Sequence, residues 1–371
     1  MKALIAMSGG VDSSVAALLT KEAGYDCIGC TMKLWDLPEE DAGAVKAGKT
    51  CCSLDDTEDA RSVAYRLGMP FYAFNYKDEF MEKVICPFAA SYEQGQTPNP
   101  CIECNRYLKF GRLYERAKEL GCEKIVTGHY ARIEQGPDGR FLLKKGLDPS
   151  KDQSYVLHCL TQEHLAHTLF PLGSYTKDQV RCVAAEHGFV NAGKPDSQDI
   201  CFVPDGDYAD VVQRYGSGAG TEPGAFVDLQ GNPIGTHKGL IHYTIGQRKG
   251  LGNTWGKPVF VCAIDAAANT VTLGDSADLF ETRVEVRDFN WIAGEAPEGR
   301  VRGTAKLRYR QTETPVTAEA AGDGRVILTF DEPQRAPTPG QYAVLYDGDT
   351  VLGGGVIETG KNPVDLSGRL G

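Results

Sequence analysis

The stretch KALIAMSGGVDSS, residues 2–14, decides the fold of the first half of the chain. Lys2–Met7 reads as a buried strand, two glycines then make a turn, and a pattern of helical period begins near Asp12. A strand, a glycine turn and a helix in direct succession form one unit of an alternating α/β sheet. We therefore predict a buried strand that ends at the glycines and a helix that follows them.

Strands and helices continue to alternate as far as residue 127. The predicted elements after the first helix are Cys27–Lys33 (strand), Asp55–Leu67 (helix), Pro70–Asn75 (strand), Tyr107–Leu120 (helix) and Lys124–Thr127 (strand). This repetition predicts a doubly wound parallel sheet. Two long connections, Asp36–Ser53 and Tyr92–Asn105, interrupt the alternation, and loops of this length in compact domains are usually functional or mobile.

The character of the sequence changes after Asp205, where glycine and turn residues become frequent. From Phe280 onward, short alternating segments such as Arg325–Phe330 and Tyr342–Tyr346 predict an antiparallel barrel or sandwich. A chain of 371 residues is also too long for one ordinary core. We expect an α/β domain at residues 1–204, a small central domain at residues 205–279 and an antiparallel β-barrel at residues 280–371.

Composition indicates a folded, cytoplasmic protein. Hydrophobic residues make up 42% and charged residues 24% of the chain, which is ordinary for globular proteins. We find no secretory signal and no apolar run of the roughly 20 residues that a membrane span requires, so we expect no membrane partner. In the cytoplasm the twelve cysteines should be mostly reduced. The net charge of −11 argues against a basic surface overall, yet it leaves room for a local basic patch that binds nucleic acid.

Residues 8–14, SGGVDSS, have the composition of an anion-binding loop. The glycines allow the backbone to approach a phosphate, the serines offer hydroxyl groups, and the start of the helix offers unpaired N–H groups. A tight turn without a ligand would use the same residues. The whole string after a first strand, however, resembles the PP-loop of ATP pyrophosphatases, enzymes that cleave ATP between its α and β phosphates to adenylate a carbonyl oxygen. The GxxxxGK(S/T) loop of γ-phosphate-transferring enzymes is absent from the sequence.

Three cysteines lie in two motifs far apart in the chain. TPNPCIECN, residues 97–105, contains Cys101 and Cys104, and DSQDICF, residues 196–202, contains Cys201. A single CxxC can be half of a metal site, a dithiol redox pair or neither, and structural zinc is disfavoured because no second CxxC is present. The other nine are expected to have no chemical role, seven as small core residues and the last two in a loop: Cys27, Cys30, Cys86, Cys122, Cys159, Cys182, Cys262, Cys51 and Cys52.

Six motifs occur in the order found in the tRNA-specific 2-thiouridylase family, and they cover most of the chain. They are SGGVDSS, TPNPCIECN, TGHYAR (127–132), KDQSYVL (151–157), DSQDICF and YTIGQRKGLG (243–252). The chain therefore resembles this family. The resemblance implies a PP-loop domain of adenine nucleotide α-hydrolase type, and ATP with Mg²⁺ as cofactors. It also implies a reaction in which O2 of the wobble uridine is adenylated and sulfur is then transferred to C2, giving 2-thiouridine, AMP and pyrophosphate.

The resemblance also assigns the sulfur chemistry. Cys201 is similar to the cysteine that receives a persulfide sulfur, and Cys104 is similar to the partner that resolves the persulfide. Cys101 departs from many members, which have aspartate there, so this chain cannot use a carboxylate at that position. Two mechanisms stay open. One uses a persulfide on Cys201 and a disulfide to Cys104 that an external reductant reopens. The other uses a 4Fe-4S cluster held by Cys101, Cys104 and Cys201, whose open iron binds the transferred sulfur.

The same resemblance assigns binding residues. Residues similar to ATP contacts are Ala6, Met7, Ser8, Gly9, Gly10, Val11, Asp12, Ser13, Ser14, Met32 and Gly128. Residues similar to tRNA contacts are Asn99, Pro100, Cys101, His129, Lys151, Asp152, Gln153, Arg308, Tyr309 and Gln341. The implied partners are tRNAs of the Lys, Glu and Gln types with a wobble uridine, and a sulfur donor such as a cysteine desulfurase or a sulfur relay protein.

A basic stretch in the predicted barrel gives a separate indication of nucleic acid binding. Tyr309 is interleaved there with five cations and no acid: Arg300, Arg302, Lys306, Arg308 and Arg310. Phosphate binding with base stacking uses such a pattern, although a solvated strand face would look the same. Because C2 of a stacked uridine is poorly accessible, the site must receive an extruded base.

Two functions from other classes would use part of this pattern. A PP-loop amidotransferase or synthetase would share residues 8–14 but would have no use for the paired cysteine motifs. A cluster-sensing module would keep Cys101, Cys104 and Cys201 but would have no use for a pyrophosphatase loop. Cleavage of ATP to AMP and pyrophosphate only in the presence of unmodified tRNA would distinguish a thiouridylase from both.

Overall fold

The computed structural model describes residues 1–36, 54–195, 200–203, 206–252 and 255–358. Most of the predicted loop Asp36–Ser53, with Cys51 and Cys52, lies outside these ranges, as does the start of the DSQDICF motif. Within them, every helix is too short or too polar to cross a membrane.

Seven strands lie in the described residues of the first half of the chain. Their bounds are β1 Lys2–Ala6, β2 Asp26–Lys33, β3 Phe71–Asn75, β4 Lys124–Val126, β5 Ala131–Gln135, β6 Phe141–Lys145 and β7 Thr168–Leu169. Five of them form a parallel sheet in the order β3-β2-β1-β4-β7. The predicted parallel sheet is therefore confirmed, and the strand order reverses direction between β1 and β4.

Helices cover both faces of this sheet. Their bounds are α1 Val11–Glu22, α2 Leu54–Arg66, α3 Lys77–Phe80, α4 Cys86–Glu93, α5 Pro100–Glu103, α6 Leu113–Glu119, α7 Gln162–Ala166 and α8 Lys177–Glu186. Two π-helical turns, Met81–Ile85 and Cys104–Arg112, join α3 to α4 and α5 to α6. The prediction of an irregular connection at Tyr92–Asn105 is wrong in its second half. Asn99 caps a helix there, and Pro100 occupies its first position, where a missing N–H does no harm.

The central strand β1 explains why the first residues read as a continuous apolar run. Leu4 packs on one face of the sheet with Phe80 and Phe88, whereas Ile5 packs on the other face with Val15. Both side chains are fully buried. A parallel strand covered on both faces has no solvent-facing side chains to make polar, so no alternation is visible in its sequence.

A small middle unit follows the α/β unit. It consists of α9 Tyr208–Tyr215, β8 Gly224–Val227, β9 Pro233–His237, β10 Phe260–Asp265 and β11 Thr270–Gly274. The four strands form one sheet in the order β10-β11-β8-β9. Its core is built round Phe226, which is fully buried against Tyr243, Trp255 and Val261.

The last unit is a closed antiparallel barrel. Its strands are β12 Phe280–Trp291, β13 Arg300–Lys306, β14 Thr314–Gly322, β15 Arg325–Arg335, β16 Tyr342–Asp347 and β17 Thr350–Ile357. They pair in the order β12-β15-β14-β13-β16-β17, and β12 also pairs with β17, which closes the sheet. The predicted barrel and the predicted strands inside it are confirmed.

The hairpin β5–β6 was not predicted, and it joins the α/β unit to the barrel. Thr350 of β17 pairs with Lys144 of β6, and the Lys145 N–H donates to the Asp349 carbonyl at 2.8 Å. Arg132 of β5 forms an ion pair of 2.6 Å with the Asp349 carboxylate. The six barrel strands and the hairpin β5–β6 thus make one continuous sheet of eight strands.

Candidate active site

A cavity of about 770 Å³ lies at the carboxyl ends of β1, β2 and β4. This is the edge where doubly wound sheets bind ligands, next to the reversal of strand order, and the volume is in the usual range for ligand pockets. The connection between β13 and β14 of the barrel forms the opposite wall, with Lys306, Tyr309 and Arg310. The cavity is therefore shared by the α/β unit and the barrel.

The glycine-serine loop after β1 forms the floor of the cavity. Its hydroxyl groups brace the loop from within: the Ser8 N–H donates to Ser13 Oγ at 3.1 Å, and the Ser13 and Ser14 hydroxyls donate to the Gly10 carbonyl at 3.0 and 3.1 Å. Helix α1 begins directly after Gly10 with no side-chain cap. The first N–H groups of α1 therefore remain available for an anion.

Two glycines are required by close backbone contacts. Gly9 has φ +75°, and a Cβ there would lie 2.2 Å from the Asp56 carbonyl oxygen. At Gly128, in the loop after β4, a Cβ would lie 2.8 Å from the Ser13 nitrogen. Gly9 lets the nucleotide loop pack against α2, and Gly128 lets the loop after β4 pack against the start of α1.

Partly buried ion pairs fix the charged groups around the loop. Asp12 accepts hydrogen bonds from Lys177 Nζ at 2.7 and 2.8 Å and from the Tyr130 hydroxyl at 2.7 Å. Lys194 donates to Asp56 at 2.6 Å and to Asp59 at 2.8 Å. Four further cations reach the cavity wall: Lys109, Lys151, Lys306 and Arg310. Cations therefore outnumber acids on the wall, as a polyphosphate would require.

His129 is buried beside the cavity as a neutral imidazole. It is 8% exposed, its Nδ1 lies 2.7 Å from Thr127 Oγ1, and its ring packs against Phe110 and Phe170. Burial, with a smaller contribution from Lys109, places the pKa of His129 well below its usual value. A neutral ring at this position can exchange hydrogen bonds with a bound group but cannot contribute a positive charge near pH 7.

Most of the residues assigned to ATP line this cavity. They are Ala6, Met7, Ser8, Gly10, Val11, Asp12, Ser13, Met32 and Gly128. Gly9 and Ser14 are not part of the lining, and Ser14 is fully buried behind the loop. The role of all these residues in ATP binding stays a prediction. The fold nevertheless brings the loop after β1, Met32 and Gly128 to one cavity.

Half of the residues assigned to tRNA line the same cavity. They are His129, Lys151, Asp152, Gln153 and Tyr309. The Tyr309 hydroxyl donates to the Asp152 carbonyl at 3.2 Å, which connects the barrel wall to the KDQ segment. The Gln153 side chain accepts from the Tyr130 N–H at 3.0 Å.

The other residues assigned to tRNA are held by the protein. One Arg308 nitrogen donates to the Ile245 and Ala336 carbonyls and to Thr338 Oγ1, at 3.3, 3.2 and 2.7 Å. Gln341 donates to the Thr97 carbonyl at 2.7 Å and anchors the connection that leads to Cys101. Asn99 and Pro100 start α5 as its cap and first residue. These contacts are structural, and they leave the predicted tRNA roles open.

The basic stretch of the barrel is less cationic than its sequence suggests. Arg300 pairs with Glu319 on the neighbouring strand β14 at 3.0 Å, and Arg302 pairs with Asp331 on β15. The acids lie far along the chain and reach the arginines only through strand pairing. The cations of this stretch that line the cavity are Lys306 and Arg310.

The three candidate thiols lie outside the cavity lining. Cys104 and Cys201 are both half-buried against the same apolar cluster, which also contains Phe202. Cys101 is exposed on α5 and lies close enough to Tyr309 to affect its pKa. Among the described residues, no set of three or more His, Cys, Asp or Glu side chains is arranged to hold a metal ion. The cluster on Cys101, Cys104 and Cys201 therefore stays a prediction.

The remaining cysteines separate into two groups. Five are buried as predicted, at Cys27, Cys30, Cys122, Cys159 and Cys262. Burial raises the pKa of Cys159 to about 12 and that of Cys30 further, so these thiols are unreactive. The prediction is wrong for Cys86 and Cys182, which are exposed. On α8, Val180 and Ala184 face the core. Cys182 lies two positions from each of them along the helix and therefore points to solvent.

Sequence reasoning missed several residues that shape the site. Asn191, Lys177 and Lys194 approach the loop from positions well over a hundred residues away. Asn191 and Lys194 lie a few residues before the DSQDICF motif but do not belong to it, and Lys177 lies in no motif, so only the fold reveals these contacts.

Three family models match the chain. A model described as "tRNA methyl transferase HUP domain" matches residues 1–205, a "tRNA methyl transferase PRC-barrel domain" matches residues 210–275, and an "Aminomethyltransferase beta-barrel domain" matches residues 281–357. The descriptions refer to methyl transfer, whereas the relatives below are named for thiolation. The names of the relatives carry more weight for the family assignment, because these proteins align with this chain over nearly the whole of both chains.

Those relatives are named tRNA-specific 2-thiouridylase MnmA. The protein of Clostridioides difficile is 51% identical over 96% of this chain and 98% of its own length, and that of Moorella thermoacetica is 51% identical over 96% and 99%. A solved 4-thiouridine synthetase with RNA and bound ATP has a TM-score of 0.35 at 19% identity, over 59% of this chain and 51% of that one, which is too distant to support an argument. The chain belongs to the tRNA-specific 2-thiouridylase family.

Proposed function

We propose that this protein is a tRNA 2-thiouridylase, a sulfurtransferase that uses ATP to adenylate O2 of the wobble uridine and then installs sulfur at C2. Membership of the family supports tRNA as the substrate and thiolation as the reaction. One observation carries the finer proposal. The glycine-serine loop and half of the residues assigned to tRNA face one cavity, so a nucleotide and a base can meet there.

ATP would enter with Mg²⁺ as its complex. The N–H groups at the start of α1 and the surrounding lysines suit the phosphates. Asp12 is already bonded to Lys177 and Tyr130, and the described residues offer no multidentate metal site. Mg²⁺ in such sites is held mainly by phosphate oxygens and water, with one or two carboxylates at most.

In the first step, uracil O2 attacks the α phosphorus of ATP, the bond to the β-phosphate oxygen breaks, and pyrophosphate leaves. The cations on both walls would stabilise the charge that develops on the phosphates. Tyr309 on the barrel wall, 38% exposed, offers a ring on which an extruded base can stack. Neutral His129 would donate or accept a hydrogen bond at the nucleoside.

In the second step, the terminal sulfur of a persulfide on Cys201 attacks C2. The Cys104 thiolate then attacks Sγ of Cys201, the S–S bond breaks, sulfur stays on C2, and AMP leaves. The resulting Cys104–Cys201 disulfide requires an external dithiol as reductant. Support comes from the packing of both thiols against one apolar cluster.

A 4Fe-4S cluster on Cys101, Cys104 and Cys201 is the alternative route. It explains the third cysteine, but the described residues do not gather three ligands, so we propose no step through it. Anaerobic purification with iron and acid-labile sulfide analysis, alongside thiolation, distinguishes the routes. We expect iron-free protein that thiolates from a persulfide donor and a Cys101→Asp variant that stays active. Iron with sulfide-dependent activity, lost together in Cys101→Asp, would favour the cluster.

Further parts of the proposal concern organisation and partners. We place the domain boundaries near residues 204 and 279. We expect the protein to act in the cytoplasm, with a cysteine desulfurase or a sulfur relay protein as its sulfur donor. Its expected substrates are tRNAs of the Lys, Glu and Gln types. To test the donor, the protein is incubated with a desulfurase and cysteine and repurified, and the sulfane sulfur bound to Cys201 is then measured.

The central experiment measures AMP, pyrophosphate and 2-thiouridine with and without unmodified tRNA. We expect pyrophosphate release only with tRNA, and Cys201→Ser should abolish thiouridine while tRNA binding persists. Thiouridine formed by Cys201→Ser would overturn the assignment. Pyrophosphate release that depends on an amino acid or ammonia would instead favour a synthetase or amidotransferase.

A further inference from the structure

The side chain of Asn191 contacts the back of the nucleotide loop. It is 2% exposed, and its Nδ2 lies 2.8 Å from the Gly9 carbonyl and 2.9 Å from Ser14 Oγ. The residue follows α8 and is separated from the loop by more than 180 positions in the chain. Neither the motifs nor the proposed chemistry uses it.

The partners fix the direction of both hydrogen bonds. A carbonyl oxygen can only accept, so the Asn191 atom that faces Gly9 is the NH₂ group. The Ser14 hydroxyl donates to the Gly10 carbonyl at 3.1 Å, and it therefore accepts from Asn191. The amide thus directs two donors at one turn of the backbone.

This contact sets the orientation of the peptide groups in the loop. In a trans peptide the C=O and the following N–H point in opposite directions, and the described residues contain no cis peptide. Since the Gly9 carbonyl points at Asn191, the Gly10 N–H points away from it. The Gly10 carbonyl is held by the Ser13 and Ser14 hydroxyls, so the Val11 N–H points away from these two hydroxyls. Gly10 and Val11 line the cavity.

We propose that Asn191 is a positioning residue for ATP, which holds the Gly9–Gly10 peptide so that its N–H faces the phosphates. The inference rests on the proposed use of ATP. Two consecutive glycines have unusual conformational freedom, so a loop without this anchor would have to be ordered by the ligand. A preordered loop binds more tightly.

Lys194 supports the same loop from a second side. Its ammonium bonds Asp56 and Asp59 of α2, and the Asp56 carbonyl is the group that packs against Gly9. Asn191 and Lys194 belong to one short connection that precedes Cys201 in the chain. This connection therefore contacts the nucleotide loop directly through Asn191 and indirectly, through α2, by Lys194.

The test is ATP affinity by calorimetry on the full-length protein without tRNA, followed by tRNA affinity and steady-state kinetics. For Asn191→Ala we expect ATP binding about tenfold weaker, which is ~1.4 kcal/mol, and a raised KM for ATP. We expect kcat at saturating ATP and tRNA affinity near those of the unmodified protein. Asn290→Ala is the matched control, because that amide also donates two hydrogen bonds, to the His158 and Leu160 carbonyls at 2.6 and 2.8 Å.

Other outcomes would be equally informative. If Asn191→Ala binds ATP as tightly as the unmodified protein, or if ATP and tRNA affinity fall together as in a general loss of structure, the inference is wrong. Should Asn191→Ala fail to fold, Asn191→Ser replaces it, with the same expected loss of ATP affinity. An unmodified protein that does not bind ATP would overturn the proposed function itself.

Discussion

Gly128 shows how one missing side chain makes a cavity possible. Its Cα faces the backbone of the nucleotide loop, where a Cβ would meet the Ser13 nitrogen at 2.8 Å and the Asp12 carbonyl carbon at 2.9 Å. Backbone atoms cannot swing aside as a long side chain can. The two loops at the carboxyl edge would have to separate.

We predict that Gly128→Ala weakens ATP binding by at least about tenfold, because the clash moves the loop that faces the phosphates. Calorimetric titration with ATP checks this. Gly193→Ala is the control, since a Cβ there meets nothing within 4 Å and the backbone is not left-handed. Equal ATP affinity in Gly128→Ala and Gly193→Ala would contradict the prediction.

His158 is a buried neutral residue outside the cavity lining. It is fully buried, its Nδ1–H donates to the Tyr155 carbonyl at 2.8 Å, and its Nε2 has no hydrogen-bond partner among the described residues. Burial, and less so Arg106, lowers the pKa of His158 from 6.5 to about 4. Protonation below pH 6.5 is thus easier in the unfolded chain than in the folded one, so stability falls as pH decreases from 6.5 towards 4.

We predict that His158 alone makes the protein less stable at pH 5 than at pH 8 by about 2 kcal/mol. Urea unfolding at both pH values measures the difference. In His158→Gln the difference should shrink by that amount, while the buried His129 keeps part of it. An unchanged pH dependence in His158→Gln would show that the histidine is not held neutral.

At the scale of elements, the segment that carries Cys101 and Cys104 is a helix attached to the barrel. Asn99 accepts from the Cys101 N–H at 3.2 Å and starts the helix. The preceding connection is held from the barrel, because Gln341 donates to the Thr97 carbonyl and the Thr97 N–H donates to the Pro339 carbonyl at 2.9 Å. The position of the thiols therefore depends on strands that come more than two hundred residues later.

We predict that Gln341→Ala slows thiolation while leaving ATP affinity unchanged, because it frees the connection to the thiols but not the nucleotide loop. The lost hydrogen bonds should also lower stability by about 1 kcal/mol. Single-turnover 2-thiouridine formation and ATP titration check the two parts. Gln162→Ala is the matched control, with two backbone carbonyl partners at 2.8 and 2.7 Å; a similar slowing there would point to general destabilisation.

The sequence predicted elements whose cause is local. The strand before Ser8 and the barrel strand that begins at Arg325 were predictable because hydrophobic pattern and turn residues lie within a few positions. The helix at Pro100 was missed because two prolines suggested a loop, although Asn99 is a good cap. The pairing of Arg300 with Glu319 and the contact of Asn191 with Gly9 depend on chain folding over long separations, so no local pattern reveals them.

At the scale of the whole molecule, Arg308 connects the middle unit to the barrel. One of its nitrogens bonds the Ile245 carbonyl in the middle unit and the Ala336 carbonyl and Thr338 hydroxyl in the barrel. Arg310, two residues on, faces the cavity instead. The two arginines can therefore be expected to respond differently to substitution.

We predict that Arg310→Ala weakens tRNA binding and reduces the slope of log affinity against log salt by about one, because one phosphate contact is lost. Arg308→Ala, unlike Arg310→Ala, should lower the melting temperature, because it removes hydrogen bonds between the middle unit and the barrel. Filter binding across a salt series and thermal melting measure both. Arg300→Ala, whose guanidinium is paired with Glu319, should leave the slope unchanged. If Arg300→Ala reduces the slope as much as Arg310→Ala, the cavity wall is not the tRNA contact.

The shared sheet of β6 and β17 limits how this enzyme can evolve. One apolar cluster contains Ile102 and Leu143 from the first half of the chain together with Tyr342, Val344 and Val356 of the barrel. A gene fragment that ends before the barrel would encode a product with an exposed apolar face and a free strand edge, which invites aggregation. The barrel therefore cannot be replaced without also changing the residues of the first half that pack against it.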